Sequence, residues 1–174
     1  MGEYVFYDFE PAAADMTSEV LAGLNSEPKA LSPKFFYDAR GSELFEQITQ
    51  LEEYYLTRTE LGLFDRHLPE LAEQLGGNVC LIEYGSGSSV KIRRVLSVVM
   101  PKVYVPIDIS QAHLQDNAWQ LFQDYPDLSV YPICADLTQP FALPEATDSM
   151  TKVGFFPGSS IGNFEPPQAV DFLT

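Results

Sequence analysis

Val79-Cys80-Leu81-Ile82-Glu83-Tyr84-Gly85-Ser86-Gly87-Ser88-Ser89 is a short apolar run that breaks into glycine and serine, and an amphipathic stretch over about Val90–Val99 follows at once. Four to eight mostly apolar residues bounded by glycine read as a strand buried on both faces, and the stretch behind them reads as a helix. The same alternation continues downstream. Val103–Ile107 is a second strand ending at Asp108, and Ser110 can cap a helix whose apolar side is Leu114, Ala118, Leu121, Phe122 and Tyr125. Leu128–Cys134 is a third strand ending at Asp136, Val153–Phe156 is a fourth followed by Pro157-Gly158, and Pro166-Pro167 suits the first turn of another helix.

Upstream the pattern is helical. Thr57-Arg58-Thr59-Glu60 fits a capping box, with Leu61, Phe64, Leu68, Leu71 and Leu75 at 3,4,3,4 spacing behind it and Gly76-Gly77 as the stop. A shorter helix is expected from Ser42, with Leu44, Ile48 and Leu51 on one face, and an amphipathic stretch lies near Ser18–Leu24. Strands alternating with helices predict an α/β protein, a doubly wound, Rossmann-like parallel sheet with helices on both faces. Residues 1–56 read as a helical lead-in and residues 57–174 as the first half of the sheet domain. The pattern stops about two turns into the last helix with four strands laid down, so it is expected to be truncated after the fourth strand. That strand's open edge would then favour self-association.

Composition narrows the partners. The 174 residues carry 10 Lys+Arg against 25 Asp+Glu, a formal net charge of −15, which argues against a nucleic-acid substrate because phosphate binding needs a basic face. At 45% hydrophobic and 13% aromatic residues the chain can build a core. Neither a signal peptide nor an apolar run long enough for a membrane span is present, so a cytoplasmic protein without membrane partners is expected. Cys80 and Cys134 are far apart, sit in apolar strand-like surroundings and read as buried thiols; no metal-ligand spacing occurs. His67 and His113 fall on helices and read as surface or packing residues.

In a doubly wound sheet, ligands bind beyond the carboxyl ends of the strands. Three strand ends carry candidate residues. Gly85 and Gly87 form a turn that lets backbone approach a ligand, although a mere tight connection would use the same glycines. Asp108 follows Gly85 by 23 residues, close to the spacing of about 20 at which a carboxylate meets both ribose hydroxyls of an adenosine, but a helix-capping aspartate would also stand there. Asp136 is placed to hold an adenine amino group. A dinucleotide fingerprint needs a third glycine where Val90 stands, and no Gly-Lys-Ser/Thr follows for a phosphate loop. S-adenosylmethionine has the ribose and adenine but no phosphate, and Lys91 could meet its methionine carboxylate. The fourth strand leads into Pro157-Gly158-Ser159-Ser160-Ile161-Gly162-Asn163, the position of a methyl acceptor. An ordinary glycine-rich turn would read the same way.

Four motifs now occur in one order: Pro33-Lys34-Phe35-Phe36-Tyr37-Asp38-Ala39-Arg40-Gly41-Ser42, Glu53-Tyr54-Tyr55-Leu56-Thr57-Arg58-Thr59-Glu60, the glycine turn, and PGSSIGN. Together they resemble the histidine-specific, S-adenosylmethionine-dependent N-methyltransferases of ergothioneine biosynthesis, over about Leu31 to Thr174. The resemblance implies that Tyr37, Gly85, Lys91, Asp108 and Asp136 hold the cofactor, and the reading of the glycine turn adds Gly87 to them. It implies that Tyr54, Gly158 and Asn163 grip the amino-acid substrate, with Tyr54 and Asn163 orienting the amine in catalysis. It also implies a longer chain, with the substrate-ring contacts beyond Thr174. Relatives of the same fold act on a modified tryptophan, so that substrate stays open, as do a fragment that binds cofactor without turnover and an interaction module that has lost its ligand.

Overall fold

The computed structural model describes residues 1–9, 16–36, 39–87, 89–137 and 139–174. The run Val79–Tyr84 forms strand β2, after a two-residue β1 at Tyr7–Asp8; β3 is Val103–Asp108, β4 Ser129–Val130, β5 Ile133–Cys134 and β6 Thr151–Phe155. All pairings are parallel, in the order β1-β5-β3-β2-β6, with β4 also on β3. The α-helices are α1 (Met16–Asn25), α2 (Ala39–Thr49), α3 (Leu56–Leu75), α4 (Ser89–Val99), α5 (Gln111–Asp124) and α6 (Pro166–Leu173). This is the expected α/β, Rossmann-like arrangement.

Side chains of β2 alternate between two cores. Leu81 faces Leu68 of α3, Ile92, Val95, Leu96 and Val99 of α4, and Ala118 and Leu121 of α5. Cys80 and Ile82 face the other way, onto Val105, Ile107, Tyr131 and Ile133. That second face is covered by Val5, Tyr7, Leu137, Phe141, Leu143 and Met150 from the amino-terminal segment and the 137–150 connection. Burying each large aliphatic chain contributes about 1.5–3 kcal/mol, so the two layers fix the sheet. Cys80 and Cys134 are buried free thiols, and burial pushes the Cys80 thiol up to about 11.

The third expected strand divides in two. Its register on β3 is unbroken, Tyr104 opposite Val130 and Ile107 opposite Ile133, which sets Pro106 opposite Pro132. Neither proline has an amide hydrogen to donate, so the ladder lapses between β4 and β5. The start of the amino-terminal segment, expected as part of a helical lead-in, instead runs along this edge as β1 and its flanks. Val130 donates to the Glu3 carbonyl, Tyr7 to the Pro132 carbonyl and Phe9 to the Cys134 carbonyl, at 2.8, 2.9 and 3.0 Å.

The capping box expected at Thr57–Glu60 does not form. Helix α3 begins at Leu56 with Tyr55 at its N-cap and no side-chain cap bond, because the Glu60 carboxylate is drawn to partners on other elements. A capping box does form at α6, where Glu165 and Gln168 bond each other's backbone ahead of Pro166-Pro167. Ser110 precedes α5 as expected, but its hydroxyl makes no cap bond.

Candidate active site

The glycine turn folds over the end of β3. Gly85 takes φ +73°, in the left-handed region that glycine alone enters without strain, and its amide and that of Ser86 both donate to the Ile107 carbonyl, at 2.9 and 3.0 Å. Asn117 of α5 reaches across to donate to the Gly87 carbonyl at 3.0 Å. A side chain at Gly87 would meet nothing within 4 Å, so the backbone there is open to approach. The turn thus sits directly beside Asp108, the residue after Ile107.

Asp108 is partly sunk at the end of β3, and its Oδ1 accepts the Ser110 amide at 2.9 Å. Burial raises its carboxyl above the ordinary range, against the pull of the Ser110 and Ile109 amides and of His113. The Asp108 carbonyl accepts the Ala135 amide at 3.1 Å, which brings half-buried Asp136 to the neighbouring strand end. Gly85, Gly87, Asp108 and Asp136 therefore share one rim of the sheet.

Beneath the turn lies a polar group that the sequence reading passed over. Glu83 is only 3% exposed inside β2; it accepts the Tyr104 hydroxyl from β3, and Ser86 Oγ lies 3.3 Å from that hydroxyl. Burial pushes its carboxyl up to about 7, opposed by those hydrogen bonds and by Lys91 and reinforced by Asp108. A carboxylate within a strand buried on both faces requires a partner, and that requirement was the available signal.

Lys91 lies in the first turn of α4, and its Nζ is 2.5 Å from Glu60 Oε2 of α3. The other Glu60 oxygen accepts the Gly158 amide at 2.8 Å. Gly158 takes φ +79°, and a Cβ there would stand 3.1 Å from Lys91 Nζ. Lys91 and Gly158, assigned from sequence to different ligands, are thus joined through Glu60. Asn163 ends the 3₁₀ turn Ser160–Asn163 and is exposed. Four rings hold this segment to the sheet: Phe156 packs on Tyr84 and Phe172, and Phe164 stacks on Phe172 at 5.6 Å.

Tyr54 occupies the turn between α2 and α3, edge-on to Phe45 at 5.8 Å. Arg58 secures this turn, donating to the Leu51 and Glu52 carbonyls at 2.7 and 2.6 Å. Tyr37 lies outside the described residues. His67 is exposed on α3; His113 is exposed on α5, with Nε2 3.0 Å from Asn117 Nδ2. No helix among the described residues is long and apolar enough to cross a membrane.

A parallel sheet with a left-handed glycine turn on one strand and an aspartate ending the next fits a nucleoside ligand. The sequence model of a family described as "Histidine-specific methyltransferase, SAM-dependent" matches residues 16–174. The chain belongs to this family. Its cofactor is accordingly S-adenosylmethionine. Over 169 residues the chain is 34% identical to the histidine N-alpha-methyltransferase of Mycolicibacterium smegmatis, covering 95% of this chain and 52% of the relative. It is 36% identical over 160 residues to the enzyme of the same name from Mycobacterium tuberculosis, covering 90% and 49%. Ergothioneine biosynthesis protein 1 of Neurospora crassa is 30% identical over 152 residues, 84% of this chain and 17% of that one. The chain spans about half the length of these two histidine N-alpha-methyltransferases.

Proposed function

We propose that this chain carries the cofactor-binding part of an N-methyltransferase that methylates the α-amino group of L-histidine. The observation that carries the reading is the shared rim, where the Gly85–Gly87 turn is bonded onto the end of β3 next to Asp108. Asp108 receives the ribose hydroxyls, Asp136 on the adjacent strand end receives the adenine amino group, and the turn lets the ligand lie against backbone. Lys91 meets the methionine carboxylate, and Tyr37 completes the cofactor set by resemblance. Identities of 34% and 36% to enzymes named for histidine support that substrate.

When bound, S-adenosylmethionine supplies a methyl group on a positively charged sulfur, which an unprotonated amine displaces in line. The chain's own task is positioning. Tyr54, held by the Arg58-clamped turn, and Asn163, at the end of the 3₁₀ turn after Gly158, orient the amine and carboxylate ends of the amino acid. The Tyr54 hydroxyl oxygen also accepts a hydrogen bond from the amine N–H, and the proton released from nitrogen after transfer passes to solvent. Residues 1–56 contribute Tyr54 to the substrate pocket and Tyr37 to the cofactor set, and residues 57–174 form the first half of the cofactor-binding domain, which also carries Gly158 and Asn163. We place the protein in the cytoplasm, with no nucleic-acid or membrane partner, and expect the β6 edge to pair with another copy.

Calorimetry tests the assignment. Heat on titrating S-adenosylhomocysteine, followed by heat on adding histidine, supports a working site. Cofactor heat alone leaves a binding-only chain, heat with a modified tryptophan moves the substrate, and no cofactor heat overturns the reading.

A further inference from the structure

We propose that Glu60 is a positioning residue that couples the cofactor side of the site to the substrate side, competing with the cofactor's carboxylate for Lys91 while it holds the Gly158 amide. The inference rests on the reading above, in which Lys91 meets that carboxylate and Gly158 belongs to the substrate loop. Glu60 spans three elements: it stands on α3, its Oε2 pairs with Lys91 Nζ at 2.5 Å on α4, and its Oε1 accepts the Gly158 amide at 2.8 Å after β6. Both ion-pair side chains are largely screened, at 20% and 24% exposed, so each feels the other's charge more than a surface pair does.

The chemistry of the two partners is that of carboxylate recognition, an ammonium and a backbone N–H. Glu60 supplies the carboxylate to both from within the chain. A ligand carboxylate arriving at Lys91 divides the ammonium's donors between two anions and loosens Glu60. Glu60 in turn holds the amide of Gly158, which stands at φ +79°, so a change at Lys91 reaches the loop that carries Asn163. Nothing in this relay requires movement of the sheet. One side chain of α3 does the work.

Amide exchange at Gly158 and affinity for S-adenosylhomocysteine test it together. Glu60→Gln keeps an oxygen for the Gly158 amide but removes the competing charge, and is expected to bind S-adenosylhomocysteine about two- to fivefold tighter than wild type, the strength of a partly exposed ion pair. Lys91→Met is expected to speed Gly158 exchange about threefold or more, although Lys91 makes no bond to that amide, and S-adenosylhomocysteine should speed it in wild type but not in Glu60→Gln. Unchanged or weaker affinity in Glu60→Gln, or unchanged Gly158 exchange in Lys91→Met, overturns the coupling. A wild-type chain that takes up no S-adenosylhomocysteine overturns instead the assignment of the cofactor site, while the Lys91→Met exchange still decides whether Glu60 relays one residue to the other.

Discussion

Tyr104 on β3 donates its hydroxyl to the Glu83 carboxylate on β2, wholly inside the sheet and directly below the glycine turn. Burial raises Glu83 from 4.5 to about 7. Below about pH 4.5 the carboxyl is protonated in both the folded and unfolded chains. Between there and about pH 7 only the unfolded chain has released the proton, so stability falls as pH rises through the window and levels off above it. At 1.36 kcal/mol per pKa unit the fall is about 3 kcal/mol. Glu83→Gln preserves an acceptor for Tyr104 and removes the titration. Urea midpoints measured from pH 4.5 to 8 should therefore separate, the variant gaining on wild type toward high pH; parallel curves would refute a buried, titrating Glu83.

In the proposed function, nucleoside recognition turns on Asp108. Asp108→Ala should weaken S-adenosylhomocysteine binding about ten- to a hundredfold, the value of hydrogen bonds to a charged acceptor. Calorimetry is the measurement. Unaltered affinity would favour a chain that has kept the shape and lost the ligand.

Gly85 holds its turn by backbone conformation rather than by lack of room, since a Cβ there would meet only Phe156 Cε2, at 4.0 Å. Gly85→Ala should accordingly destabilise the fold by about 1–2 kcal/mol, the cost of a side chain in the left-handed region, with no steric addition. Thermal unfolding of the two proteins reads this directly.

Arg58 fixes the turn that presents Tyr54 by bonding two of its carbonyls. Arg58→Met should speed amide exchange at Tyr54 about tenfold and leave S-adenosylhomocysteine affinity untouched. Loss of both together would mean that the turn and the sheet rim are one cooperative unit.

At the end of the strand order β6 has β2 as its neighbour on one side. Light scattering of the chain across a concentration series should show mass rising toward a dimer, and a constant monomer mass would remove the edge-pairing proposal.

What the sequence revealed follows from how local each cause is. Strands β2 and β3 were legible to the residue because Val79–Ile82 and Val103–Ile107 are buried on both faces, and an unbroken apolar run records that directly. The glycine turn and Asp108 followed from them. The break at Pro132 was visible as a proline but not as a lapse in pairing, because its effect depends on Pro106 standing opposite, 26 residues away. Strand β1 is two residues long and leaves no period to detect. Glu60 misled for a related reason. Its spacing from Thr57 is that of a cap, while the charge that claims it lies on α4 and becomes adjacent only on folding.

The first nine residues have a practical bearing of their own. Since Glu3, Tyr7 and Phe9 are laced to the backbone of residues 130–134, clipping them by protease or trimming them to suit expression would unzip that margin of the sheet and bare the amide of Val130 to any passing polypeptide. An affinity tag is better carried elsewhere.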